Sequence, residues 1–279
     1  MFVQCPGRVK PTDRATLSRS TDSGWIVHPA GWTGDRRPRG WHDDGVTDTS
    51  HRVPTLLRAA DQALVRTVDR LDPAAYAEPS LLPGWTRGHV VAHLALNAEA
   101  LAGVLHGAHV GQPQPMYASQ EARDSDIEEL AAGDTAALRE RLLAGTGALA
   151  RALDAMGEAD WDGSFERTPG VRVIRVAAVP LMRLREVEIH HADLGAGYSH
   201  ADWSADFGSV LLDSVAKFDH PRPLTVRPTD LDGEWRYGPE GEGPVVSGPA
   251  GALAWWLTGR GAGEGLTSST NEIPEMEAW

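Results

Sequence analysis

The sequence contains one cysteine, Cys5. A lone thiol forms no internal disulfide, so a disulfide-stapled secreted fold is excluded and a reducing compartment fits. Thiol chemistry by this chain therefore needs a thiol from outside it. Lysine is nearly missing as well: Lys10 and Lys217 are the only two, and arginine carries the positive charge. That bias suggests a GC-rich genome. Positive charge is in short supply overall, with a formal net charge of -13. An acidic chain is poorly suited to nucleic acid, whose affinity comes largely from cations on phosphates. A basic membrane-surface helix is absent too. No apolar run is expected to reach the ~18 residues of a membrane span. The N-terminus lacks the apolar stretch of a signal peptide, so a cytoplasmic location is the expectation. What remains is ordinary for a globular protein: 279 residues, 41% hydrophobic and 23% charged, enough for one large domain or two modest ones.

Residues 1–50 read as a disordered extension. Pro, Gly, Ser, Thr, Asp and Arg dominate there, no period persists, and Trp25, Trp32 and Trp41 are odd in that setting. From Pro54 to Leu71 the positions Leu57, Leu64, Val68 and Leu71 recur at helical spacing. A second helix starts after Thr86, a good N-cap, and runs to about Gly107. A third covers about Thr135–Met156 and a fourth about Ile174–Leu194, with Pro180 near its start or kinking it. Four such helices over residues 51–200 predict an antiparallel four-helix bundle. After about Asp202 the character changes. A helix from Trp203 to Phe218 precedes strand-like runs at Pro223–Arg227, Gly233–Tyr237 and Pro244–Ser247, then a helix from Pro249 to Leu257. Residues 201–279 therefore predict a small α+β domain.

The chemistry-bearing residues sit on the second and fourth helices. Glu186 and His190 are four apart, roughly 40° on the helical wheel, and so share a face. Glu188 lies about 200° from Glu186 and faces away; His191 is turned about 100° from His190. Imidazole and carboxylate are normal zinc ligands, and two histidines with one carboxylate leave a position open for chemistry. Asp193, three residues after His190, is placed to orient a ligand from behind. His93 stands alone among apolar neighbours on its own helix. Taken singly, each has a plain structural reading: His93 as a core or rim histidine, Glu186 and His190 as an exposed pair. Spacing cannot join His93 to Glu186. His89 and His93 form an HxxxH pair, but Val90 stands where a metalloprotease needs its glutamate, which excludes that reading. His89 is left as a fourth ligand, an acid/base, or part of the helix start.

The stretch Leu82–Ala98, with its Pro83-Gly84-Trp85-Thr86-Arg87-Gly88-His89 turn and His93, resembles the N-terminal domain of the mycothiol-dependent maleylpyruvate isomerase family, a member of the DinB-like superfamily of metal-binding four-helix bundles. Arg183–Gly195 resembles its second metal motif. Val245–Ala250 and Trp255–Arg260 resemble its C-terminal domain. The resemblance implies a zinc ion, with other divalent metals open, held by His93, Glu186 and His190. It implies mycothiol, the low-molecular-weight thiol of actinobacteria, as cosubstrate. It implies a small electrophile or unsaturated dicarboxylate as substrate, most concretely maleylpyruvate isomerised to fumarylpyruvate. A mycothiol S-transferase, a metal-binding module without catalysis, and a scaffold without metal are the alternatives. The family uses an arginine of its second domain to hold carboxylates; Arg260 fits that pattern, ahead of Arg227 and Arg236, and a charge at a helix C-terminus is its plain reading. The extra His191 and the loosely matching tail from Ile273 depart from the pattern.

Overall fold

The computed structural model describes residues 44–216 and 220–276. The extension expected over residues 1–50 lies outside the described residues up to residue 43. From there the chain is already helical: α1 spans Asp44–Arg70 and carries Pro54 inside it, so Pro54 does not mark the helix start. Its buried stripe is Val53, Leu57, Ala60, Leu64 and Val68, the three- and four-residue spacing of one helix face.

Helix α2, Arg87–His109, is the centre of the bundle. Val90, Val91, Leu94, Ala95, Ala98, Leu101, Val104 and Leu105 are all buried and surround the helix on several sides. A helix apolar all round belongs inside a protein or a membrane. Among the described residues α2 alone is long and apolar enough to cross a membrane, against the expectation of no such run, and most of it is buried within the fold. Helix α3, Gln120–Ala131, is capped by Ser119 and packs across α2 and α4. Helix α4, Thr135–Ala155, is capped by Asp134 and buries Leu138, Leu142, Gly145 and Leu149. A Cβ on Gly145 would stand 3.2 Å from the Ala95 carbonyl oxygen, so the missing side chain sets how closely α4 approaches α2.

A short hairpin comes next, β1 (Ser164–Glu166) antiparallel to β2 (Val173–Arg175). One turn later α5 begins, Val179–Asp193, with Pro180 in its first turn rather than at a kink. Gly195, at φ +61°, follows the helix end, a conformation that a side chain would resist. Helices α1, α2, α4 and α5 form the antiparallel four-helix bundle, α1 against α5 and α2 against α4.

The rest is the small α+β domain. Helix α6, Ala205–Val215, packs on α7, Ala250–Leu257. Four strands, β3 (Leu224–Pro228), β4 (Trp235–Tyr237), β5 (Val245–Gly248) and β6 (Thr267–Ser268), make a sheet of order β4-β3-β5-β6. β3 and β5 run parallel; the outer pairs are antiparallel. The last residues expected in α6, Lys217 and Phe218, lie outside the described residues. The domain's α7 ends at Leu257, and the turn after it delivers Arg260 to the C-terminal end of α5.

Candidate metal centre

Three side chains from two helices converge. His93 Nε2 lies 2.8 Å from Glu186 Oε2, and His190 Nε2 lies 3.3 Å from the same oxygen. The two imidazoles meet edge to face, centroids 4.7 Å apart. One ligand atom from each of the three falls within 4.8 Å of the others, the arrangement a metal ion needs. Tetrahedral zinc with ligands at about 2.1 Å separates neighbouring donors by about 3.4 Å. The two donor pairs that include Glu186, at 2.8 and 3.3 Å, stand close to that spacing. His93 and His190 side chains are about 5% exposed, whereas that of Glu186 is 33% exposed, so the carboxylate is where the centre opens.

Each position has a local cause. On α5, the four-residue step brings Glu186 and His190 to one face, and Glu188 does turn away: its carboxylate accepts from the Tyr198 hydroxyl instead. On α2, His93 comes after a helix start fixed by its cap. The Thr86 hydroxyl accepts from the His89 N–H, and His89 Nδ1 accepts from the Thr86 N–H at 3.2 Å. With Nδ1 accepting, the other nitrogen carries the proton and donates to Glu128 on α3 at 3.2 Å. His89 is thereby the capping partner of Thr86 and a tie to α3, and it stands outside the cluster of candidate ligands. Trp85 covers the cluster edge-on, 5.8 Å from the His93 ring centroid.

Behind the ligands lies a line of support. His190 Nδ1 is 2.8 Å from Asp193 Oδ2. Asp193 in turn accepts from Arg260 Nε at 2.9 Å and Nη2 at 2.9 Å, while Arg260 Nη1 donates to the Thr258 carbonyl. Arg260, the sequence's candidate for holding a substrate carboxylate, is here paired with Asp193, and both are buried, where neither charge is stable unpaired. The fork fixes Asp193, Asp193 fixes the imidazole, and His190 presents Nε2 to Glu186. Arg227 and Arg236 both pair with Glu234 on the far sheet.

The protonation states reflect burial set against these bonds. Burial alone would raise the Glu186 carboxyl, but hydrogen bonds from His190 and His93 outweigh it and hold the group well below the usual carboxylate range. Burial pushes His93 down to about 4 in spite of Glu186. Burial would lower His190 too, yet its bonds to Asp193 and Glu186 raise it. The cluster thus offers an ionised carboxylate and protons on imidazoles that face it. A cation replaces such protons, so the donor set fits a divalent metal.

Sequence reasoning missed one neighbour. Arg123, on α3, is buried and its Nη2 lies 3.1 Å from His93 Nδ1. Flanked by acidic residues on a short polar helix, it reads as a surface residue, and no local period marks it. Arginine has only donors, so His93 Nδ1 accepts here and Nε2 carries the proton toward Glu186.

His191, the extra histidine, serves a different purpose. It stacks on Tyr198 with centroids 3.7 Å apart, and its Nε2 is 2.7 Å from Thr67 Oγ1 on α1. Burial pushes it down to about 4. A depressed histidine leaves stability untouched above the unfolded value of about 6.5. Between there and pH 4 the unfolded chain binds a proton that the folded ring refuses, at about 1.4 kcal/mol per pH unit and about 3 kcal/mol in all. His191→Gln is therefore expected to show a shallower loss of stability over that window in urea titrations. An acid limb identical to the parent's contradicts the assignment.

A cleft of about 890 Å³ lies elsewhere. Val53, Leu57, Ala150, Leu153, Trp161 and Leu181 line it, no histidine does, and it carries none of this chemistry.

The family model described as the mycothiol maleylpyruvate isomerase N-terminal domain matches residues 57–195, and the model of the MDMPI C-terminal domain matches residues 202–273. Two solved structures are similar, those of the mycothiol-dependent maleylpyruvate isomerase and of a histidine-to-alanine mutant of it. They are 31% and 30% identical to this chain, each with a TM-score of 0.74, and the match covers 82% of this chain and 97% of theirs. No curated protein matches the chain by sequence.

Proposed function

The chain belongs to the mycothiol-dependent maleylpyruvate isomerase family, and from that premise we propose that it is a zinc- and mycothiol-dependent cis-trans isomerase of an unsaturated dicarboxylate such as maleylpyruvate. The observation that carries the reading is the convergence of His93, Glu186 and His190 around one point that opens at Glu186. These three residues would hold the zinc. The chemistry a zinc ion would supply there is Lewis acidity that favours a bound thiol as its thiolate at neutral pH, and reversible addition of a thiolate to an alkene would let the bond rotate.

The chain's own residues supply the rest. His93 and His190 are buried, so water reaches the centre chiefly past Glu186, and the attraction between opposite charges is stronger there than in open solvent. Arg260 is a positioning residue. It acts on His190 through Asp193 and so ties the small α+β domain to the bundle's centre. The same centre suits thiol transfer to other electrophiles, since thiolate addition is common to both reactions.

The test is turnover. The purified chain with zinc, mycothiol and maleylpyruvate is expected to yield fumarylpyruvate, and to stop when the thiol is omitted or a chelator is added. Consumption of mycothiol into a stable adduct, with no trans product, would replace the isomerase by the transferase. No thiol-dependent reaction at all would sink both.

A further inference from the structure

We propose that Arg123 and Arg167, both packed on the ring of Tyr117 beside His93, form an anion subsite that receives a substrate carboxylate; this deepens, and rests on, the isomerase reading.

The charge distribution carries the inference. The Arg123 guanidinium carbon is 5.7 Å from the Tyr117 ring centroid and that of Arg167 is 5.6 Å from it. Two cations therefore share one aromatic ring. Arg123 is only 6% exposed. One of its nitrogens reaches Asp124, a largely exposed carboxylate, and one reaches His93, while its buried Nε has no hydrogen-bond partner. Arg167 Nη1 donates to Gln120, a neutral group, and among the described residues no carboxylate bridges Arg167. The nearby carboxylate of Glu186 is already engaged by both histidines. Positive charge is thus in excess at this wall, and a buried unmet guanidinium donor is costly until an acceptor arrives.

The wall is also built to stay in place. The Met116 N–H donates to the Glu166 carbonyl and the Tyr117 N–H to the Arg167 carbonyl, so the segment before α3 is stitched to the last residue of β1 and to its neighbour Arg167. Burial raises the pKa of Tyr117, which keeps a neutral phenol between the two arginines. Guanidinium planes bind carboxylate with paired donors, which makes a carboxylate the ligand class that fits. Arg123 touches His93 directly, so an anion held there lies next to the ligand cluster.

Maleate serves as the probe, titrated calorimetrically into the zinc-loaded full-length chain. It needs neither thiol nor turnover. Saturable binding is expected in the parent, weakened about tenfold or more in Arg123→Gln and in Arg167→Gln, and unchanged in Arg236→Gln on the far sheet. Arg167 touches none of the three candidate ligands, so its variant guards against loss of the metal or the fold, and retained metal is checked by elemental analysis. Equal affinity for maleate in both variants and the parent overturns the proposal, as does a parent that binds no maleate. Arginine-dependent maleate binding by a chain inert to maleylpyruvate and mycothiol keeps the subsite and overturns the isomerase reading alone.

Discussion

The His190→Ala chain is expected to carry no metal where the parent carries about one ion, and to lose about a thousandfold or more of its thiol-dependent turnover. The change removes one of three ligands, and a small set tolerates no such loss. The fold should survive it. Asp193 keeps its two-nitrogen bond to Arg260, and Glu186 keeps its bond to His93, so no buried charge is orphaned. Loss of metal with little loss of melting temperature separates a ligand from a core residue. Arg260→Ala belongs between the two extremes. It leaves all three donors but frees Asp193 from the fork that aims it, and changes of that kind weaken metal binding by about 10–100-fold. Elemental analysis and competition with a chromophoric chelator would order the three chains. Stoichiometric metal in His190→Ala would place the centre elsewhere.

That experiment rests on residues that differ in how visible they are in the sequence. Glu186 and His190 are a four-residue pair, and helix geometry alone puts them on one face and Glu188 on the other. Asp193 is placed by the same arithmetic. His93 is different. Its meeting with Glu186 spans 93 residues of chain and is a product of α2 packing beside α5, which no spacing encodes; only the family resemblance joined them. Arg123 was hidden for the opposite reason. Its local surroundings, Glu121, Asp124 and Asp126, are polar, and burial comes from packing of α3 across α2 and α4. Arg260 was found, but its pairing with Asp193 was not, because a motif names a residue and not what its side chain meets.

The elements show the same division. Long periodic helices were legible, and so were three of the four strands of the small domain. The β1–β2 hairpin was not. Its turn and second strand expose Val171 and Val173, so the alternation of a half-buried strand is absent, and Ile174 continues without a break into the apolar start of α5. Pro54 was read as the start of α1, but it lies inside the helix, which continues past the backbone hydrogen bond that the proline ring forfeits. The paired residues of β6 number two, too few for any period.

The fold's most vulnerable charge is Arg183, and Arg183→Met is expected to cost about 3–5 kcal/mol at pH 7. The side chain is fully buried. From α5 its Nη1 donates to the Leu94 carbonyl and to Asn97 Oδ1 on α2, each at 2.9 Å, and its Nη2 reaches Asp61 Oδ1 on α1 at 3.3 Å. One guanidinium thus clamps α1 and α2 to its own helix α5, and its Nη2 also lies 3.5 Å from Thr146 Oγ1 on α4. It sits three residues before Glu186, and its acceptor Leu94 is one residue past His93, so the clamp lies at the level of the candidate ligands. Without it, Asp61 keeps a poorly solvated carboxylate and no cation. Burial already raises the Asp61 pKa in spite of Arg183, and removal of the arginine raises it further. A raised carboxyl favours the folded state below the unfolded value of about 4 and loses that contribution as pH rises through the folded value. The deficit of Arg183→Met should therefore be smaller at pH 5 than at pH 7. Replacing both partners, as in Arg183→Met with Asp61→Leu, should recover much of the loss, because an apolar pair leaves no charge to solvate. Urea titrations of the single and double variants at both pH values would measure this. A single variant within about 1 kcal/mol of the parent at pH 7 would show that the clamp is not what holds these helices together.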